Sequence, residues 1–253
     1  MVQNFVIPHS RPTLDESDLL SVSKVIRSGR IVQGEVVEKF ENKVAKYIGV
    51  DGAVAMNTGT SALHLSLLAI GIKEGDYVAM PSFVCTALLN AVRYVGAHPT
   101  LVDIDPETYN IDIRDLKKRV KKSTKAIILP HLFGLPADID EIVSLGIPVI
   151  EDCAQAIGAV YKGRKVGSFG KLSCFSFYAT KVLSTGEGGM VVSDSKSLLK
   201  KIRDFRDYDN KKNYTVRYNY KMTDIQAAMG LAQLKKLHSL LLKRANIAKK
   251  YSS

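Results

Sequence analysis

The sequence has no tryptophan and only three cysteines, Cys85, Cys153 and Cys174. So sparse and odd a set, without CxxC or Cys/His spacing, excludes a disulfide scaffold and a structural zinc site and suits a reducing compartment. No run of ~18 apolar residues occurs, which excludes a transmembrane helix. The opening Met1-Val-Gln-Asn-Phe-Val-Ile-Pro-His-Ser10 lacks the charged start and continuous apolar stretch of a signal peptide, so the expected location is the cytoplasm. Internal repeats and low-complexity tracts are missing too. With 46% hydrophobic and 24% charged residues the chain reads as globular, and its 253 residues leave open one large domain or one domain plus a fragment.

Acidic residues are in deficit: 25 Asp and Glu face 36 Lys and Arg, a formal net charge of +11. Such a field favours anionic partners, although solubility alone accounts for it equally. There is no long basic block, nucleic-acid motif or aromatic-basic stacking pattern, so nucleic acid is not expected and a phosphorylated small molecule fits better.

From about residue 53 short apolar, β-branched runs alternate with stretches of helical spacing. The pattern predicts strands over 53–57, 77–81, 100–103, 126–130, 148–152, 174–178 and 189–193. Helices are predicted over 61–70, 86–94, 113–120, 138–145 and 195–205. This alternation specifies the α/β class, a three-layer α/β/α arrangement around a mostly parallel seven-stranded sheet. Amphipathic helices over 14–27 and 35–47, joined by the Ser28-Gly29-Arg30 break, make an N-terminal helical segment of residues 1–50. Residues 51–253 form one large domain, in which 204–220 is a polar surface loop or a segment ordered by a partner and 223–250 is a terminal helix.

Ligands of open α/β sheets bind beyond the carboxyl ends of the strands. Three such ends carry reactive groups. Asn57-Thr58-Gly59-Thr60-Ser61 follows a strand and opens a helix, where free amides, a closely approaching glycine and hydroxyls make a phosphate cup; the same residues are also ordinary helix caps. Val149-Ile150-Glu151-Asp152-Cys153-Ala154-Gln155 ends an apolar strand in two acids, and the pleat sends one of them into the crevice. A carboxylate there suits a metal, a ribose hydroxyl or a protonated ring nitrogen, with a loop cap as the alternative. Phe175-Ser176-Phe177-Tyr178-Ala179-Thr180-Lys181, followed by Gly186-Glu187-Gly188-Gly189, delivers a lysine beside an aromatic strand. Partial desolvation would make its neutral amine a nucleophile, with a snorkelling surface lysine as the alternative.

Cup, carboxylate and lysine together are what pyridoxal 5′-phosphate requires: an anion site, a partner for the pyridine nitrogen and an amine for a Schiff base. No metal is expected. His64 reads as a packed helix residue, and His131 as a turn histidine or a neighbour of the site. Lys211, Lys212 and Arg217 either meet a diphosphate or face solvent.

Several ordered motifs carry a resemblance. Gly75-Asp-Tyr-Val-Ala-Met-Pro81-Ser82, Asn90-Ala91-Val92 through Gly96-Ala97, Val102-Asp103-Ile104-Asp105, His131-Leu-Phe-Gly134, Glu151-Asp-Cys-Ala-Gln155, Gly167-Ser-Phe-Gly170 and Phe175-Ser-Phe-Tyr-Ala-Thr-Lys181 are similar to the DegT/DnrJ/EryC1/StrS aminotransferases. These are fold-type-I pyridoxal-phosphate enzymes that act mostly on nucleotide-linked keto-sugars. The likeness extends from Ser28-Gly29 and Phe40-Glu41 to Tyr220-Lys-Met-Thr-Asp-Ile-Gln-Ala-Ala228.

The resemblance implies that Lys181 carries the cofactor as a Schiff base, Asp152 pairs with its ring nitrogen and Gln155 lies near its ring hydroxyl. Gly59, Thr60 and Ser176 would hold the phosphate. Asn219 and Lys221, flanking Tyr220, would complete the phosphate site of a neighbouring subunit, so a homodimer with shared active sites is implied. Cys85 stands where the family often has a ring-stacking aromatic, with Phe83 two positions away; packing on the ring face and burial in the core are both open for its thiol. The implied activity is transfer of an amino group, most often from glutamate, to a nucleotide-sugar. Family members continue into a C-terminal small domain that this sequence does not contain, so a non-catalytic remnant acting as a binding module, or one half of a split enzyme, is the alternative. Lys181 argues against the family's dehydratase branch, which carries histidine there.

Overall fold

Apolar residues at nearly every position of the central strands require cover on both faces of a sheet. The computed structural model describes Pro8 and residues 10–252 and supplies that cover. In chain order the strands are β1 (Gly52–Met56), β2 (Tyr77–Pro81), β3 (His98–Val102), β4 (Thr124–Pro130), β5 (Val149–Asp152), β6 (Val160–Tyr161), β7 (Arg164–Lys165), β8 (Leu172–Ser176) and β9 (Gly189–Ser193). The helices are α1 (Glu16–Ser28), α2 (Glu35–Ile48), α3 (Gly59–Ile70), α4 (Thr86–Tyr94), α5 (Ile113–Arg119), α6 (Ile139–Val143), α7 (Lys196–Arg206) and α8 (Asp224–Ser252).

Seven strands form one sheet in the order β1-β9-β8-β5-β4-β2-β3. Side chains alternate between its faces. Ala53 and Ala55 of β1, Ile127 and Leu129 of β4 and Phe175 of β8 share a core with α2, α5, α6 and α8. Val54 and Met56, Ala126 and Ile128, and Cys174 share the opposite core with α3, α4 and α7. The three-layer α/β/α arrangement is therefore as the sequence pattern indicated. All pairings among β3, β2, β4, β5 and β8 are parallel, whereas β9 runs antiparallel to both β8 and β1. Helical connections run between β1 and β2, β2 and β3, β3 and β4, and β4 and β5; β5 reaches its parallel neighbour β8 through the β6–β7 hairpin, and β8 and β9 are joined by a loop that returns the chain in the opposite sense.

Several boundaries differ from the predicted ones: β4 begins at Thr124 rather than residue 126 and α6 spans Ile139–Val143 rather than 138–145. β3 begins at His98 rather than residue 100, because Pro99 is tolerated on an edge strand whose other side has no partner among the described residues. β8 spans 172–176 rather than 174–178, so Phe177 and Tyr178 belong to the turn that leads to Lys181. The hairpin β6–β7 was not anticipated; it turns through Lys162 and Gly163, with φ 46° and 83°. Among the described residues no helix is long and apolar enough to cross a membrane.

The two N-terminal helices are tied in by polar side chains from afar. Gly29, at φ 70°, ends α1 where the Ser28-Gly29 break was read. α2 starts at Gly34, which has no capping side chain of its own. Asp224, the first residue of α8, takes over this role: it accepts hydrogen bonds from the N–H groups of Gly34 (2.9 Å), Val37 (3.0 Å) and Val36 (3.4 Å). α8 itself opens with a reciprocal box in which Gln226 N–H donates to Thr223 Oγ1 and Thr223 N–H to Gln226 Oε1. Glu41 of α2 is buried and paired with Arg206 at 2.8 Å, while its Oε1 also accepts the Ala55 N–H of β1.

Asp224→Ala strips the cap from α2 and leaves three donors open. It is expected to lower stability by about 2 kcal/mol, seen as a reduced denaturant midpoint with unchanged slope. A midpoint equal to the parent's would show that Asp224 does not fasten α2.

Candidate active site

Four neighbouring strands bring their ends together at one edge of the sheet. Met56 of β1 pairs with Gly189 of β9, and Gly189 with Ser176 of β8. Asp152, last residue of β5, pairs with Cys174 of β8. The loop after β1, the end of β5, the end of β8 and the start of β9 thus face one cavity of ≈ 310 Å³. Thr58, Gly59, Thr60, Cys85, His131, Asp152, Gln155, Ser176, Tyr178, Lys181 and Glu187 line it.

The cup is built by close approach. A Cβ on Gly59 would lie 2.9 Å from that of Ser176, and a Cβ on Gly189 would overlap the Thr58 carbonyl, so both positions need glycine for the turn to sit against β8 and β9. Thr58 caps α3, its Oγ1 accepting the Ser61 N–H at 3.0 Å, and Ser61 Oγ donates to Asn57 Oδ1 at 2.6 Å. The amides of Gly59 and Thr60 are left without a partner among the described residues, beside the Ser176 hydroxyl and at the positive end of a twelve-residue helix.

The two acids ending β5 part company. Asp152 turns into the cavity, where Oδ1 accepts the Ala154 N–H at 3.0 Å and no other hydrogen bond reaches the carboxylate from the described residues. Burial raises its pKa, and the Ala154 N–H, Lys181 and His131 only partly offset this. A fully buried Glu151 faces the other way and is saturated. Its Oε1 accepts from Phe169 N–H (2.8 Å), Gly170 N–H (2.6 Å) and Ser173 Oγ (3.0 Å). Its Oε2 accepts from Gly167 N–H (2.8 Å) and from His131 Nε2 (3.1 Å). The Ala137 N–H donates to His131 Nδ1 at 3.2 Å, which places the ring proton on Nε2. Burial opposes ionisation of Glu151, but His131 and the Gly167 and Gly170 amides outweigh it and hold the pKa down. His131, Glu151 and Cys153 have donor atoms within 4.8 Å of one another, yet the imidazole and the carboxylate are fully committed to protein partners.

Lys181 is half-buried on the turn after β8, its N–H donating to Tyr178 C=O at 2.8 Å. Its amine is not engaged in a hydrogen bond or ion pair with any described residue. Gln155 is exposed at the rim, where its Oε1 accepts the Phe133 N–H at 3.1 Å. Cys85 is exposed and caps α4 at the cavity wall, which removes the core alternative for its thiol.

Seven of the sequence-predicted residues therefore meet: Gly59, Thr60, Cys85, Asp152, Gln155, Ser176 and Lys181. Asn219 and Lys221 do not line this cavity. Lys221 pairs with Asp207 (3.1 Å) and Asp209, while Lys211 and Arg217 both pair with Asp204, so these loop cations are occupied within the chain. Asn219 is exposed. Tyr218 and Tyr220 between them close over His64, whose Nδ1 lies 3.3 Å from the Tyr220 hydroxyl and whose pKa burial lowers to about 4. Thr58, Tyr178 and Glu187 also border the cavity; each lies inside a motif read from the sequence, but a cap, a turn aromatic and a loop acid carry no chemical signal of their own.

The chain is similar to several known proteins. The chain is 41% identical over 255 residues to the GDP-perosamine synthase of Escherichia coli O157:H7, a match covering 97% of this chain and 70% of that protein. It is 44% identical over 223 residues to the GDP-perosamine synthase of Caulobacter vibrioides, covering 85% and 60% respectively. Among solved structures, the putative sugar aminotransferase Spr1654 of Streptococcus pneumoniae in its PLP form superposes with a TM-score of 0.93 at 29% identity, over 98% of this chain and 71% of that one. The profile of the DegT/DnrJ/EryC1/StrS aminotransferase family matches residues 12–253.

Pyridoxal 5′-phosphate is the cofactor of that family, and the cavity fits it. A buried carboxylate short of partners suits a protonated ring nitrogen, an unengaged amine suits an aldehyde, and open amides at a helix start suit a phosphate. By its matched span and by the residues gathered at its strand ends, the chain belongs to the DegT/DnrJ/EryC1/StrS aminotransferase family.

Proposed function

We propose that this chain is the cofactor-binding part of an enzyme that moves an amino group from an amino acid, glutamate foremost, to a keto-sugar linked to a nucleotide. What carries the reading is the meeting of Lys181, Asp152 and the α3 cup in one cavity, together with relatives that are themselves GDP-perosamine synthases.

Bound pyridoxal phosphate supplies an electrophilic carbon and a cationic ring that accepts the electron pair released when a neighbouring C–H bond ionises. The chain's own groups do the rest. The Gly59 and Thr60 amides with the Thr60 and Ser176 hydroxyls bind the phosphate, and Gln155 stands beside the ring hydroxyl. Asp152 accepts the ring N–H and, as a charge kept from water, holds that proton firmly. Lys181 Nζ, once free and neutral, would take the proton from the donor's α-carbon and deliver it to the carbon on the other side of the shared nitrogen, so that a single amine serves as base and then as acid. We place Asn219 and Lys221 at the cavity of a second copy, which makes the working unit a homodimer in the cytoplasm.

Loading the chain with pyridoxal phosphate is expected to give an absorption band at the visible edge that glutamate bleaches. Lys181→Ala should remove the band and slow conversion about 10²–10⁴-fold; a band that survives this change, or never forms in the parent, would overturn the assignment.

Asp152→Asn separates stability from activity. Because burial raises the pKa of Asp152, the native chain binds more protons than the unfolded chain above the ordinary carboxyl pKa near 3.8, and its stability falls as pH rises through the native value. Without cofactor the Asn variant should melt at or above the parent's temperature at neutral pH, the gap opening as pH rises from the ordinary carboxyl pKa through the native one and staying constant above it, while amino transfer is lost. A lower melting temperature at all pH values would contradict this account.

If Asn219 and Lys221 serve a second copy, Asn219→Ala with Lys221→Ala should weaken cofactor binding at least about tenfold in a chain that still sediments as a dimer. Unchanged cofactor affinity would restrict the site to one chain.

A further inference from the structure

Phe83, Tyr109 and Phe133 stand exposed beside the cavity mouth, at 51%, 46% and 69% of their full surface. Each follows a different strand: Phe83 comes after β2, Tyr109 lies in the turn after β3, and Phe133 lies in the short helical turn after β4. Those strands are successive neighbours in the sheet, and β4 borders β5, whose end carries Asp152. Since all four are parallel, their carboxyl ends share one edge, and the aromatic trio continues outward from the cavity. The rings form a run, with centroids 5.8 Å apart for Phe83–Tyr109 and 6.2 Å for Tyr109–Phe133.

The backbone beneath them is strained. Four non-glycine residues among those described have positive φ. Lys162 is in the β6–β7 turn and Asn210 is of a type that tolerates the conformation; the other two are Tyr109 at 60° and Phe133 at 56°. Such a conformation costs free energy at an aromatic residue and persists only where its surroundings impose it. Asn110 imposes it here, its Oδ1 accepting the Leu132 N–H at 3.0 Å and its Nδ2 donating to the Leu135 carbonyl at 3.1 Å, so that the two turns are locked together. Gln155, a cavity residue, holds the Phe133 N–H. The outcome of this bracing is not burial, since the rings face water.

We propose that the nucleobase of the substrate stacks on a ring face of the aromatic cluster Phe83, Tyr109 and Phe133, whose neighbouring planes are inclined by 45° and 84°, while its sugar reaches Lys181. The inference rests on the nucleotide-sugar reading above. Aromatic faces hold any base by stacking, and three strand spacings of ~4.8 Å separate β5 from β3, a span that ribose and diphosphate bridge between base and hexose. The excess of basic residues attracts the diphosphate from a distance.

The test is calorimetric titration of the pyridoxal-phosphate-loaded chain with GDP, and with inorganic diphosphate as the base-free control. Phe133→Asn and Tyr109→Asn suit the left-handed backbone, so both variants should melt at or above the parent's temperature. Each should weaken GDP binding about tenfold and leave diphosphate binding unchanged, whereas Phe133→Tyr should bind GDP as the parent does. The stacking site is refuted by GDP affinity within about twofold of the parent in both Asn variants, by an equal loss for diphosphate, or by a parent that binds no GDP. Variants that keep GDP affinity but sediment as monomers would make the trio a subunit contact instead. The aminotransferase reading fails on a different result, the absence of any spectral response to amino donors, whatever GDP does.

Discussion

At the end of β5 two carboxylates follow one another, and the pleat of the strand sends them to opposite faces of the sheet. Everything at the cavity edge depends on how those two charges are treated. Glu151 is fully buried, and an isolated charge there would be ruinous. Five donors surround it, three of them amides of the Gly167–Gly170 turn, and their combined effect keeps it ionised. The same five bonds fasten that turn, the start of β8 through Ser173 and the residue after β4, His131, to β5. Asp152, one residue on, receives a single amide and is left electrically hungry. Saturation of the first acid fixes the frame in which the second can be left short.

This contrast divides the polar interior into two kinds of group. Glu151, Glu41 and Asp224 are spent on structure: each collects backbone N–H groups or an arginine from distant segments and welds them. Asp152, Lys181 and the first amides of α3 are withheld from such use. Proteins tolerate under-satisfied polar groups mainly where a ligand completes them, and the cost is borne by the rest of the fold. The left-handed turns at Tyr109 and Phe133 belong to the same economy, with backbone strain in place of missing partners.

Much of this was legible in the sequence because the relevant signals are local. β-branched runs ending in Asn57, Asp152 and the Phe175–Lys181 stretch gave the strands and their chemistry at once, and the sheet rule placed their ends together. Signals that depend on distant partners were not readable. Nothing near Gly34 announces that its cap arrives from Asp224, and a polar strap rich in tyrosine does not reveal that Tyr218 and Tyr220 will close over His64. Lys211 and Arg217 were read as meeting a diphosphate or solvent, and Lys221 as serving a neighbouring subunit, because the acids they pair with, Asp204, Asp207 and Asp209, are matched to them only by the path of the loop. Cys85 was open between core and cavity for the same reason: a lone thiol has no periodicity to betray its side.

The antiparallel strand β9 has a consequence for how the molecule comes into being. β1 is an edge strand whose register joins Gly52 to Ser193 and Met56 to Gly189, so its one sheet neighbour among the described residues is made long after it during synthesis. Until β9 slots between β1 and β8, the anion-binding turn and the lysine-bearing turn hang on separate pieces of chain. Contacts so remote in sequence form slowly, so the two turns come to face one cavity only after β9 has been made and inserted.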